Sequence, residues 1–312
     1  MLIGFRPNPL FEKYGWAPGR EWDRQGALAE LEFWRRHGVA IVELASDLRA
    51  TDGAFFRFSD AEWRDLRSLV AQSGLPMHSV LAWRRMLCRE PWATTQSAEL
   101  HRIAWVTELF GAKVVTIMIA FPWFGTPGRD QPRRRFRSLT DATEGDFALA
   151  AARLKDYARR LGGFGAALTL EMHDDTLHDT ARSALRLREM IDEPNVGVNP
   201  DTLDNAWLYP GLPLGDALAQ AREVAPYVNH WHVKQFRRAW SATAWMGGDW
   251  ILGGAHVDEG DQPIAEMGQA FWDAGFRGAA ILESGGGADF TAALRRHVTY
   301  LRWLVEEYWP RT

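Results

Sequence analysis

The chain has 312 residues, 46% hydrophobic and 24% charged, with a formal charge of -4. No apolar run reaches the roughly 18 residues of a membrane-spanning helix, and the weakly acidic balance gives no electrostatic reason to expect a nucleic-acid partner. A lone cysteine, Cys88, excludes an internal disulfide and a thiolate cage, so any metal must sit on oxygen and imidazole.

Length fits a single α/β barrel domain over residues 1–312, and with no charged-then-apolar leader at Met1 the expected location is cytoplasmic. Short runs rich in Val, Ile and Leu alternate with longer amphipathic stretches, the pattern of parallel strands joined by crossover helices. Strands are predicted over Leu2–Arg6, Val39–Leu44, Leu75–Ala82, Lys113–Ala120, Ala166–Met172, Val196–Asn199, Tyr227–Lys234 and Gly278–Glu283. Helical spacing of apolar residues predicts helices over Ala27–His37, Ala98–Phe110, Phe147–Leu161 and Ala292–Glu307. Ser59 and Asp60 supply a start signal before Ala61, and His37-Gly38, Ser73-Gly74, Phe110-Gly111 and Ala274-Gly275 each punctuate a helix just before a strand. Eight such βα units predict a (β/α)8 TIM barrel, whose active sites gather at the C-terminal ends of the strands.

Sixteen tryptophans are unusual. Trp34, Trp63 and Trp105 lie in helical segments and are expected to be core. Two connections are long: about 121–143, with Trp123 and the basic run Arg133-Arg134-Arg135 and Arg137, and about 235–257, with Trp240, Trp245 and Trp250 beside Gly247-Gly248. The second is expected to act as a substrate lid, with a packed excursion or subunit contact as the alternative. The basic run is an anion clamp or, more simply, a solvated charged face.

Four successive strand ends carry metal-ligating groups. Glu171 and His173 are two apart and share a face; Asn199 and Asp201 do likewise; His230, His232 and Lys234 share a face opposite Trp231 and Val233; Glu283 closes the last strand. Any one of these could be a helix cap or a satisfied core residue. Three carboxylates converging without a cation would repel one another, whereas a divalent ion makes the arrangement favourable. Oxygen ligands with one imidazole suit Mn2+ best, with Mg2+, Co2+ or Zn2+ as alternatives.

At these residues the chain resembles the xylose isomerase-like barrel superfamily of sugar isomerases, epimerases, inosose dehydratases and endonuclease IV. The resemblance rests on Glu171-Met172-His173, on Val196 to Asp201 with Asn205, on His230 to Lys234, on Asp258-Glu259-Gly260-Asp261, and on Gly275 through Glu283. It implies Glu171, Asp201, His232 and Glu283 as ligands of one divalent ion, a carbohydrate substrate, a homo-oligomer, and Glu171 and Glu283 as base and acid. His173 and Lys234 are then further catalytic residues, His173 alternatively orienting a ligand. His78, Trp123, Asn205 and Arg238 form the substrate-binding set. His78 and Glu43 end earlier strands and could face the same cavity, a structural role in core or rim being the simpler expectation.

Free-ketose 3-epimerases carry a histidine three residues after the aspartate and a glutamate six after the first glutamate, where this chain has Asp204 and Leu177; Arg238 matches. Endonuclease IV holds three metals with further histidines, where this chain continues Lys234-Gln235. The implied chemistry is proton abstraction beside a carbonyl, giving isomerisation, epimerisation or elimination. Alternatives are a 3-oxo-glycoside lyase resembling C-glycoside deglycosidases, with a small β-rich partner subunit, or a dehydratase of inosose type. A third alternative is a barrel kept only for binding or assembly.

Overall fold

The computed structural model describes residues 1–46, 54–121, 138–201, 214–241, 249–283 and 290–311. Eight parallel strands form the barrel wall: β1 (Leu2–Phe5), β2 (Ile41–Ala45), β3 (Met77–Arg85), β4 (Val114–Ile119), β5 (Ala167–Glu171), β6 (Val196–Asn199), β7 (Trp231–Val233) and, after a hairpin of β8 (Phe236–Ser241) and β9 (Asp249–Gly254), β10 (Ala279–Leu282). Their order around the wall is β6-β5-β4-β3-β2-β1-β10-β7.

The ring closes between β6 and β7 through few backbone contacts. Val198 bridges in parallel to Val228, and the Asn199 side chain takes over where the ladder ends, its Oδ1 accepting from the His232 N–H at 2.7 Å. Gly197 is needed at this seam, because a Cβ there would lie 2.3 Å from the Asn229 side chain, which donates from Nδ2 to the Leu168 carbonyl at 3.1 Å. Strand seven is accordingly shorter than predicted: Ala225–Tyr227 turns as a 3-10 helix, Pro226 having no N–H for a ladder.

Helices alternate with the strands, as in Arg24–Arg36, Asp60–Ser73, Trp92–Phe110, Glu144–Gly162, Ala181–Ile191, Leu214–Val224, Ile264–Asp273 and Phe290–Trp303. Local sequence sets their ends. Ser59 makes a full capping box with Glu62, and Gly74 ends the same helix in the left-handed region at φ 70. The main apolar layer lies between wall and helices and includes Trp34, Trp63, Trp231, Phe271 and Trp309, all essentially fully buried. Trp105 packs against it partly buried. No helix among the described residues is long and apolar enough to cross a membrane.

The connection over about 235–257, predicted as a substrate lid or a packed excursion, contains the antiparallel hairpin β8–β9, with Trp240 opposite Trp250 in its register. Phe236, Trp240, Trp250 and Ile251 are residue types that favour strand pairing. Trp245, Gly247 and Gly248 lie outside the described residues, as do Trp123, Arg133, Arg134, Arg135, Arg137 and Asn205.

Candidate metal centre

Strand alternation places the polar groups inside the barrel. On β7, Trp231 and Val233 enter the outer apolar layer, so His230 and His232 point inward. On β5, Leu168 and Leu170 face the helices, so Thr169 and Glu171 face in. Asp201 follows β6, its N–H donating to the Asn199 carbonyl at 2.9 Å, and Glu283 follows β10, its N–H donating to the Val233 carbonyl at 3.2 Å.

Glu171, Asp201, His232 and Glu283 each offer one ligand atom, and these atoms lie within 4.8 Å of one another. Four strands adjacent around the wall supply them: β5, β6, β7 and β10. His232 Nδ1 faces the group, 3.1 Å from Glu171 Oε1, 3.2 Å from Glu283 Oε1 and 4.0 Å from Asp201 Oδ2. Glu171 and Asp201 are wholly buried. Lys234 Nζ contacts Asp201 Oδ2 and lies 2.8 Å from Glu283 Oε2.

Below this cluster sits a fourth carboxylate. Glu43, in the middle of β2 and fully buried, lies 2.9 Å from His232 Nε2 through Oε1. Its Oε2 accepts from His230 Nε2 at 2.8 Å and from Ser79 Oγ at 2.7 Å. Arg6, just past β1, donates from Nη2 to Glu43 Oε1 at 3.2 Å and also contacts Glu283 Oε1.

Burial alone would raise the pKa of Glu171, but the charges of His232 and Lys234 and the His232 hydrogen bond hold it low. Burial would likewise lower His232, and the Glu43 and Glu171 carboxylates override it, raising His232 to about 9. Glu43 is kept well below the usual carboxylate range against its own burial, by His232 and His230.

The donors fit a divalent ion. Three carboxylates and one imidazole nitrogen are a hard, oxygen-rich set, and the buried Glu171 Oε2 has no hydrogen-bond partner among the described residues, as expected of an atom whose partner is a cation.

The other expected site residues fall in different places. His173 lies beside the ligand strand end, its Nδ1 2.6 Å from Asp174 Oδ1 and its ring edge-on to Trp83 at 5.4 Å. Arg238 is on β8, opposite Leu252. Trp123 and Asn205 fall outside the described residues. His78, expected among the substrate-binding groups at a strand end, stands instead near the start of β3. The ladder pairs Val42 with Met77 and Glu43 with Ser79, leaving His78 as the extra residue of a bulge. Its ring stacks on His230 at 6.0 Å, and burial, with the His230 charge, lowers its pKa to about 4. That places it below the rim. Arg6 was not anticipated at the site, and the only signal for Glu43 is a carboxylate in the midst of the apolar run Ile41-Val42-Glu43-Leu44-Ala45.

A ring of parallel strands with this cluster at its C-terminal mouth defines a (β/α)8 barrel with the donors for a metal site. The family model for xylose isomerase-like TIM barrels matches residues 31–304, and the chain belongs to that family.

Among solved structures, the chain is similar to a xylose isomerase-like TIM barrel protein from Mycobacterium smegmatis in complex with magnesium, with TM-score 0.73 and 18% identity over 99% of this chain and 97% of that one. An L-ribulose 3-epimerase gives TM-score 0.67 and 16% identity over 100% of this chain and 97% of that one. A probable 3-DHS dehydratase, AsbF, involved in petrobactin synthesis in Bacillus anthracis, gives TM-score 0.66 and 17% identity over 96% of this chain and 98% of that one. No curated protein matches the chain.

Proposed function

We propose that the chain is a divalent-metal-dependent isomerase or epimerase that moves a proton on the carbon beside a carbonyl of a keto-sugar or sugar derivative. The observation that carries this reading is the convergence of Glu171, Asp201, His232 and Glu283 within 4.8 Å. Mn2+ is the ion the donor set suits best in this reading, with Mg2+, Co2+ and Zn2+ also admissible. Such an ion polarises a substrate carbonyl and so acidifies the neighbouring C–H.

Within the protein, Glu171 and Glu283 remove and return the proton. Both are buried carboxylates, with side chains 0% and 5% exposed. Lys234, whose Nζ lies 2.8 Å from Glu283 Oε2, hydrogen-bonds or protonates the substrate oxygen that gains negative charge as the C–H bond breaks. His173 hydrogen-bonds a substrate oxygen. Arg238, Trp123 and Asn205 remain the groups assigned to the rest of the substrate.

A second reading is elimination: a 3-oxo-glycoside lyase, or a dehydratase of inosose type, using the same first step. The tryptophans in the connection after β7, Trp240, Trp245 and Trp250, favour it, since aromatic faces suit a bulky or glycosylated substrate. The similarity to AsbF, a probable dehydratase, points the same way. Copurification of a small second chain would support the lyase, and full activity of the chain alone would count against it.

Solvent-deuterium exchange followed by NMR on ketoses, inososes and 3-oxo-glycosides, with Mn2+ added, tests the proposal. Deuterium entering beside the carbonyl in wild type and lost in Glu283→Gln is the expected result, and the product separates isomerase from lyase. No exchange on any substrate, with no ion bound, would leave a non-catalytic binding module as the better reading.

A further inference from the structure

The buried carboxylate of Glu43 touches none of the other three carboxylates that could hold the ion, yet it lies against the one imidazole among the candidate ligands. Resting on the reading of Glu171, Asp201, His232 and Glu283 as ion ligands, we propose that Glu43 is a positioning residue that holds the His232 ring with its Nε2 proton directed into the barrel and its Nδ1 lone pair presented to the ion.

Three observations carry this assignment. First, the two ring nitrogens of His232 face different partners: Nδ1 faces Glu171 and Glu283 at 3.1 and 3.2 Å, while Nε2 faces Glu43 Oε1 at 2.9 Å. Both nitrogens thus face carboxylates, and the ion decides between them: once Glu171 and Glu283 are committed to it, Nδ1 gives it a lone pair, and the ring's one hydrogen is left on Nε2, within reach of Glu43. Secondly, Glu43 is itself over-determined. Ser79 Oγ and His230 Nε2 donate to Oε2, Arg6 donates to Oε1, and the side chain is 0% exposed. It therefore has little freedom to swing away, and it passes that rigidity to a ring on the opposite side of the barrel. Thirdly, the His232 backbone is fixed from another direction by the Asn199 side chain at 2.7 Å.

The same atoms admit one competing assignment, since Glu43, His230 and His232 are themselves close enough to hold a metal ion. Arg6 argues against it. Its guanidinium donates to Glu43 Oε1 at 3.2 Å while Ser79 Oγ donates to Oε2 at 2.7 Å, so both oxygens of this carboxylate are already engaged by protein donors. The three groups instead read as a hydrogen-bonded stack beneath the ion.

The test is calorimetric titration of the full chain with Mn2+, and with Mg2+ for a diamagnetic form, comparing wild type, Glu43→Gln and His230→Gln. In parallel, long-range proton-nitrogen NMR of 15N-histidine-labelled protein reads which nitrogen of His232 is protonated. Wild type is expected to bind one equivalent, with His232 protonated at Nε2 in the Mg2+ form. Glu43→Gln offers a single acceptor oxygen to two imidazoles and turns an N–H2 toward one of them, so ion affinity should fall by about 10- to 100-fold, with loss of the single tautomer signal. His230→Gln disturbs the same buried stack, where the His230 ring packs edge-on to His232 at 5.2 Å, but keeps a donor for Glu43 Oε2 and leaves the partners of both His232 nitrogens in place, so it should lose at most a few-fold in affinity and keep the signal.

Equal affinity in wild type and Glu43→Gln overturns the inference while leaving the metal site intact. Equal losses in both variants overturn it too, because the effect would then be general damage to the interior. Two equivalents bound by wild type, falling to one in Glu43→Gln, would make Glu43 a ligand instead of a positioning residue. No ion bound by wild type sinks the metal reading itself, an outcome distinct from the other three.

Discussion

Along β2, β3 and β4 the interior residues near the mouth of the barrel are Ala45, Leu81 and Met118, which pack as a small apolar cluster with Trp83 against them. On the other side of the same interior, β5, β6, β7 and β10 bring together Glu171, Asp201, His232 and Glu283. One half of the wall is a dry support and the other carries the charge. The division is not complete, because Arg6 and Glu43 reach across from β1 and β2 to touch Glu283 and His232. The cluster itself is buried, with Glu171 and Asp201 at 0% and His232 at 1% exposure, which strengthens every electrostatic contact within it. Stability and chemistry should therefore respond separately to substitution in the two halves.

The largest expected effect tests that separation directly. Glu171→Gln removes a ligand and a proton acceptor together, and should lower the deuterium-exchange rate by about 100- to 10,000-fold. Leu81→Ala empties a fully buried position of the apolar side and should cost about 2–5 kcal/mol of unfolding free energy, measured by urea denaturation, with ion affinity unchanged within a few-fold. If Leu81→Ala lost the ion as readily as Glu171→Gln, the two halves would be one cooperative site and the comparison would collapse.

How much of this division could be read from the chain follows from where its signals lie. The β6 prediction, Val196–Asn199, coincides with the observed strand, because a short β-branched run and a following Pro200 mark it locally. Glu171, Asp201, His232 and Glu283 were legible as a group because each closes a strand and parallel strands in a barrel share one mouth. Glu43 and Arg6 were harder to read, since their partners come from distant strands and only the closed ring brings them near. The bulge at His78 depends on a register shift against β2, and no local motif announces it. The hairpin β8–β9 was obscured by tryptophan and glycine, whose bulk and freedom fit a lid as well as a pair of strands.

A smaller effect concerns the buried segment that leads from Glu171 toward the helix Ala181–Ile191. Burial raises Asp179 to about 6, only partly offset by hydrogen bonds from Ser138 and Ser183. The Ser138 N–H donates to Oδ2 at 3.1 Å and Ser183 Oγ to Oδ1 at 3.3 Å. In the unfolded chain the ordinary value is 3.8, so between about 4 and about 6 the folded protein holds a proton that the unfolded one releases. This contribution is fully present below about 4 and is lost as pH rises through about 6, on the order of 3 kcal/mol across the window. Asp179→Asn should flatten that slope in denaturation curves taken from pH 4 to 7. An unchanged slope would show that Asp179 is ionised throughout and that its serine donors outweigh burial.

The smallest effect compares two helix caps that are chemically alike but placed in different halves. Ser59 caps Asp60–Ser73 at an exposed turn, its Oγ accepting from the Glu62 N–H at 3.3 Å. Thr180 caps Ala181–Ile191, its Oγ1 accepting from the Ser183 N–H at 3.2 Å in a buried setting. Replacing either with Ala should cost about 1 kcal/mol, visible as similar shifts in urea midpoint. They should differ at the metal centre. Residues 173–180 are buried without interruption, so slack introduced at Thr180 reaches back along the segment that anchors Glu171, and Thr180→Ala should weaken ion binding several-fold in calorimetry. Ser59 joins no such segment, and Ser59→Ala should leave ion affinity unaltered. Equal ion affinities in the two variants would mean that β5 alone fixes Glu171, and that the buried segment after it contributes to stability but not to the site.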